Sequence, residues 1–181
     1  MEKMDVYFVK TQGTGDRSVN KDLGFTKAHH VMLSYGFKIS DNANMKIEPY
    51  FQQLYNVPVI ADSSYSVLNR RDFYVENVLV NQGKGRNIGV DITLERYLYK
   101  GLYYMVTASI FDSKYYGGDR KWRNTLYNRN FIVNVLGGKE WMVGRDKQNI
   151  FSMNFKITLQ GGDRYAPVDE AATLLDPDRE V

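Results

Sequence analysis

Few residues in this chain are grouped as catalysis or metal binding would need. The two histidines, His29 and His30, are adjacent. On a strand, neighbours point to opposite faces, so the pair cannot share a metal ion and reads better as rim or girdle aromatics. Gly83-Lys84-Gly85-Arg86 carries the glycines and cations of a phosphate cradle. It lacks the P-loop spacing, and no helix follows to offer an N-terminal anion site, so it reads as a flexible loop running into a strand. Asp91 and Glu95 share one strand face but lie roughly 13 Å apart at about 3.3 Å per residue. Carboxylate pairs that cleave glycosides work at about 5–9.5 Å, so these two read as a solvated polar face. No Ser-His-Asp set can be assembled from histidines tied to one strand end. Cysteine is absent, which removes disulfides and thiolate metal sites. Neither catalysis, nor a metal, nor a cofactor is expected.

Ligand contact is the remaining chemistry. Gly-Gly-Asp-Arg occurs at 117–120 and again at 161–164, each time after a strand pattern, and reads as loop-entry chemistry. Trp122-Arg123 sits in a polar stretch with Tyr115, Tyr116 and Tyr127 nearby. Two readings stand level there. The group could stack on a sugar or hold an acidic ligand. Equally, Tyr and Trp at strand ends are what a membrane girdle requires. The candidate ligand contacts are Arg120, Trp122, Arg123, Tyr127, Arg164 and Tyr165.

What must position these residues is a set of alternating runs. The clearest pair lies within 81–113. Ile88, Val90, Ile92, Leu94 and Leu98 fall on one parity, and Asn87, Gly89, Asp91, Thr93 and Glu95 on the other. Period two marks a strand with one apolar and one polar face. Tyr99-Lys100-Gly101 reverses the chain, with Gly101 able to take positive φ. The run from 102 to 111 returns. Arms of this length exceed the usual ~5–6 residues and approach the ~9–11 that cross a bilayer as a tilted strand.

Four more strands are expected. Val31, Leu33, Tyr35, Phe37 and Ile39 alternate within 28–39. Met45, Ile47, Pro49 and Phe51 alternate within 45–55, where Pro49, which has no N–H, predicts a bulge or an unpaired position. A mixed run covers 127–141. The cleanest covers 150–160, with Phe151, Met153, Phe155, Ile157 and Leu159 against Ser152, Asn154, Lys156, Thr158 and Gln160. An isolated apolar patch stands at 6–9. Turn-forming residues make short links at 40–44, 98–101 and 143–149. Long polar segments occupy 1–27, 56–85, 114–126 and 161–181. Short and long links alternate strictly. Up-and-down membrane barrels keep short turns on one rim and long loops on the other, whereas a sandwich has no such rule.

Composition agrees with an all-β chain of one domain. Its 181 residues include 14 Tyr and 9 Phe but only 4 Pro. A formal net charge of +3 is too small an excess for a nucleic-acid surface. No apolar run has the ~18–20 residues of a membrane helix, and a mean hydropathy of −0.46 is no obstacle to half-apolar barrel strands. The first ten residues include Glu2 and Asp5 and do not read as a signal peptide. The expectation is a cytoplasmic protein or a piece of something longer.

Several stretches, in order, resemble the barrel of TonB-dependent outer-membrane receptors of the Bacteroidetes type. They are residues 19–23 (VNKDL), 48–59 (EPYFQQLYNVPV), 64–69 (SYSVLN) and 79–96 (LVNQGKGRNIGVDITLER). Residues 109–115 (SIFDSKY), 122–125 (WRNT), 134–140 (NVLGGKE) and 161–169 (GGDRYAPVD) complete the set. The resemblance implies a barrel of about 22 strands with a plugged lumen, which binds a scarce ligand outside and imports it on energy relayed from the inner membrane. It implies the cell outer membrane, contact with outer-membrane lipid, the plug domain of the parent chain, and the TonB complex reached through that chain. A surface lipoprotein partner is left open, and no nucleic acid is involved. A plug, an energy-coupling box and a closing strand with an aromatic end are missing. Residues 1–181 are therefore expected to be a partial barrel domain, an antiparallel up-and-down transmembrane segment of about six long strands. Short turns would be periplasmic and long loops extracellular. The apolar parity would touch lipid, and the polar parity the lumen or plug.

The competing reading is a self-contained soluble β-barrel or sandwich that binds an apolar ligand. The same alternation would then point its apolar parity inward. A third reading, an enzyme using loop carboxylates, has no support in the spacing.

Overall fold

The computed structural model describes residues 20–69 and 77–164. They form one antiparallel, all-β sheet of eight strands, with a single 3-10 turn at Val67–Asn69. The strands are β1 (Lys27–Met32), β2 (Tyr35–Ser40), β3 (Ala43–Val59), β4 (Val80–Tyr99), β5 (Leu102–Tyr116), β6 (Trp122–Asn124), β7 (Phe131–Val143) and β8 (Asn149–Gln160). The sheet runs β1-β3-β4-β5-β7-β8, with β2 also on β3 and β6 on β5. It is up-and-down and open, since β1 and β8 do not pair.

The expected six strands become eight for two reasons. The run expected across 28–39 divides at Leu33-Ser34, opposite Pro49. Met32 pairs with Tyr50 and Tyr35 with Ile47, so the register is unchanged across the gap and no bulge forms. Leu33 N donates to Pro49 O at 3.1 Å, but the return bond needs an N–H that proline lacks. On its other side Pro49 faces Val90, and its carbonyl points away from that strand. The β3–β4 ladder therefore loses no donor there. The second addition is β6, three residues inside the long link after β5, which pair with Lys114, Tyr115 and Tyr116.

Strand limits also differ from expectation. The link expected at 56–85 is only 60–79, because β3 runs on to Val59 and β4 begins at Val80. The strand expected at 127–141 is Phe131–Val143. Gly83-Lys84-Gly85-Arg86 is not a flexible loop but part of β4, with Lys84 and Arg86 paired to both neighbouring strands. The glycines are there because neighbours lie close. A Cβ on Gly83 would sit 2.4 Å from Val59 Cγ1, and one on Gly85 2.6 Å from Leu68 Cδ1.

The strict alternation of link lengths holds. Asp41-Asn42, Lys100-Gly101 and residues 144–148 close one rim, and the long links lie on the other. Lys100 and Gly101 both have positive φ, 51° and 71°, as a two-residue turn matched to strand twist requires.

Paired residues share a face, and the registers gather all the apolar parities on one side. That side carries Val31, Tyr35 and Phe37; Ile47 and Phe51; Ile88, Val90 and Ile92; Val106 and Ile110; Val133 and Val135; and Phe151, Met153, Phe155, Ile157 and Leu159 of β8. Many are exposed, Val31 at 62% and Phe155 at 53% among them, and no described residue forms a second layer over them. The opposite face is tied together by side-chain hydrogen bonds. Asn87 Nδ2 donates to Gln52 Oε1 (2.7 Å), Ser113 Oγ to Asn87 Oδ1 (2.6 Å) and Thr125 Oγ1 to Ser113 Oγ (3.0 Å). Ser109 Oγ donates to Asp91 Oδ1, and Tyr103 Oη to Asn154 Oδ1 at 2.8 Å. Burial concentrates instead on the long-loop rim. Val57, Pro58, Val59, Ser66, Leu79, Tyr115, Thr125 and Asn128 are buried there, with Leu79 packed on Leu23, Ile60, Tyr65 and Val67.

Candidate functional site

The long-loop rim holds the described candidate residues, but the sheet's two faces separate them. On the apolar side, the two residue rows beyond Val31, Phe51 and Ile88 turn polar. The nearer row reads His29, Gln53, Arg86, Lys114 and Asn124 across five strands; the farther reads Lys27, Tyr55, Lys84, Tyr116 and Trp122. Trp122 packs on Tyr116 with ring centroids 5.4 Å apart. Arg86 lies over the Trp122 ring at 5.5 Å and Lys84 over Tyr116 at 5.7 Å. His29 packs on Tyr55 at 5.2 Å. Cations laid on aromatic faces keep their donors free at the edge of an apolar surface.

Tyr127 is on the other side. With His30, Met32, Tyr50, Gln52, Asn87, Asp91, Phe111 and Ser113 it lines an open hollow of about 390 Å³. All but Tyr127, which lies in the link between β6 and β7, come from β1, β3, β4 and β5, brought together by register. Hydroxyl, amide, imidazole and carboxylate groups beside aromatic rings suit a polar ligand with some flat apolar surface. Sequence spacing could not reveal the hollow, although the polar parity held its members.

Two of the three candidate arginines, Arg123 and Arg164, are occupied. Arg123 Nη1 and Nη2 donate to Asp119 Oδ1 (2.9 Å) and Oδ2 (2.6 Å), a bidentate pair that braces the turn before β6. The Arg123 bond holds the Asp119 carboxyl below the usual carboxylate range and pushes the guanidinium's own pKa up. Arg164 Nε donates to Asn128 O at 3.1 Å and Nη2 to Asn130 Oδ1 at 2.5 Å. Arg120 is exposed in the left-handed region at φ 62°. Tyr165 lies outside the described residues, as does the patch at 6–9.

Both Gly-Gly-Asp-Arg copies follow strands, and in each the Asp holds an arginine. Asp119 takes Arg123, and Asp163 Oδ1 accepts from Arg129 Nε at 2.6 Å. His29 and His30 turn to opposite faces, toward Tyr55 and Tyr50. Among the described residues no group of three His, Asp or Glu side chains could hold a metal ion.

The fold and rim define a class no finer than an open antiparallel sheet with one apolar and one polar face. No family model, no curated protein and no solved structure matches the chain.

Proposed function

We propose that this chain is part of the wall and outer loops of a TonB-dependent outer-membrane receptor, which binds a scarce nutrient at the cell surface and imports it. The observation that carries the reading is the division of one sheet into two faces. One is apolar, exposed and bounded by aromatic residues at both ends; the other is polar and cross-bonded. Along β8 the apolar set from Phe151 to Leu159 covers nine residues, within the ~9–11 of a tilted strand that crosses a bilayer. At the short-turn end Trp141 packs on Phe151 at 5.7 Å, and at the loop end stand Tyr55, Tyr116 and Trp122. Such girdles sit at headgroup depth.

Every role follows from that placement. The apolar face meets lipid. The polar face, with the Tyr127 hollow, meets the plug domain and passing cargo. The open edges of β1 and β8 are continued by further strands of the parent barrel, since an unpaired edge is not tolerated in hydrocarbon. The TonB complex acts through the parent chain, without catalysis or cofactor in this segment.

The absence of cysteine makes a direct test available. Single cysteines placed at 151–159 in the protein carrying this chain are probed in membranes with a water-borne maleimide. The expected pattern is fast labelling at 152, 154, 156 and 158 and protection at 151, 153, 155, 157 and 159. Equal rates on both parities overturn the reading. So does a water-soluble, monodisperse monomer that melts cooperatively without detergent, the behaviour of a self-contained barrel or sandwich with an apolar ligand.

A further inference from the structure

Two positive side chains on the apolar side, Lys84 and Arg86, have no carboxylate hydrogen-bonded to them among the described residues. Arg86 and Lys114 are directly opposite across β4 and β5, and Lys84 follows on the same face two residues on. Like charges directly opposite repel unless something neutralises them. Asp112 does so for Lys114, with Oδ2 at 3.1 Å from the ammonium, and its Oδ1 is taken by Asn128 at 2.9 Å. Asp112 also acts on Arg86 through space without bonding it, so Arg86 and Lys84 keep aromatic faces and no bonded carboxylate among the described residues. Arg86 Nε is buried and has no hydrogen-bond partner.

We propose that Lys84 and Arg86, with Tyr116 and Trp122, hold the phosphate-bearing headgroup of an anionic lipid in the leaflet on the long-loop side. This rests on the membrane reading above and names the lipid chemistry of that surface. Position selects the occupant. The cluster lies one and two residue rows past Ile88, where the apolar face ends, so a bound phosphate sits at headgroup depth with its acyl chains along Phe51, Ile88 and Ile110. A guanidinium forks onto two phosphate oxygens, and an ammonium adds a point charge beside it. The rings fix both cations and fill the boundary between hydrocarbon and water.

The test uses the protein carrying this chain, floated with liposomes of phosphatidylcholine alone or with phosphatidic acid added. Retained lipids are then counted by native mass spectrometry. The wild type is expected to retain phosphatidic acid preferentially. Preference should fall roughly five-fold per cation removed, so about 25-fold in Lys84→Gln/Arg86→Gln. Lys156→Gln, on the polar face, should leave it unchanged. Equal retention of the two lipids, or a double variant with wild-type preference, overturns the proposal while flotation upholds the membrane reading. Displacement of the lipid by inorganic phosphate at matched concentration also overturns it, because the site is then one for free phosphate. Failure to float with either liposome sinks the membrane reading itself.

Discussion

Tyr50 lies across Gly89 on the neighbouring strand, its hydroxyl 2.6 Å from where a Cβ on that glycine would sit. The pair repeats at Tyr103 and Gly138, again directly opposite in register, with the ring 2.7 Å from the missing Cβ. Both rings cover bare backbone on the polar face, where a glycine in a strand would otherwise weaken it. Gly89→Ala drives a methyl into the ring and toward Ile110 O at 2.8 Å. The expected destabilisation is about 1–3 kcal/mol in a urea titration in detergent. Adding Tyr50→Ala removes the ring clash, so the double variant should lose less than the sum of the singles. An unchanged midpoint for Gly89→Ala would show that the ring is not held there.

The two faces of β8 give the sharpest energetic contrast. Phe155 stands on the apolar side at 53% exposure, opposite Gly137. Next to it Asn154 accepts a hydrogen bond from Tyr103 Oη at 2.8 Å on the polar side. Under the proposed membrane placement, Phe155→Arg is expected to cost about 2–4 kcal/mol, the penalty for a cation facing mid-membrane hydrocarbon. Asn154→Arg forfeits one hydrogen bond but keeps its charge on the polar face, and should cost much less. Equal unfolding costs for the two variants would refute the face assignment.

Much of the sheet was legible because alternation and turn chemistry are local. The odd-numbered apolar residues of β8 and the Lys100-Gly101 reversal could be read directly. What was not legible depends on residues distant in sequence. Gly83 and Gly85 read as a loop, yet they lie in β4 because Val57, Val59, Leu54 and Leu68 leave no room for a side chain. The gap at Leu33-Ser34 is set by Pro49 on the next strand. At the candidate site, Trp122 read as a ligand contact or a girdle aromatic alike, and its place in β6 was not legible. Arg123 and Arg164 could not be recognised as internal braces, since Asp119, Asn128 and Asn130 consume their donors through turn geometry. The hollow beside Tyr127 draws on four strands and has no linear signature.

Asn20 ties the start of the described chain to the long loop. It is 1% exposed, accepts from Leu79 N at 2.9 Å and donates to Asn77 O at 3.0 Å. Asn20→Ala leaves the Leu79 amide, which sits in the small apolar cluster of that rim, without a partner. The expected loss is about 1–3 kcal/mol for an unsatisfied buried donor. Hydrogen exchange at Leu79 is the local readout and should speed up. Asn20→Asp keeps the acceptor and should retain most of the protection. Exchange at Leu79 that ignores both changes would mean that the amide is held by something else.

The Asp119–Arg123 pair makes the turn before β6 sensitive to acid. The bidentate bond from Arg123 holds the folded Asp119 carboxyl below its ordinary pKa. When the turn opens, Asp119 returns to the usual carboxylate value and binds a proton more readily than it does folded. Its contribution is therefore complete above the ordinary carboxylate pKa and lost as pH falls through the lower folded value. Arg123 stays charged throughout and sets no window of its own. The amides of Asp119 and Arg120, which donate to Ser63 O at 2.9 Å and Gly117 O at 3.1 Å, report on the turn. Their protection factors should hold near neutral pH and fall in acid. In Asp119→Asn they should start lower and stay flat across that range. An acid-induced drop of equal size in Asp119→Asn would assign the titration to another group.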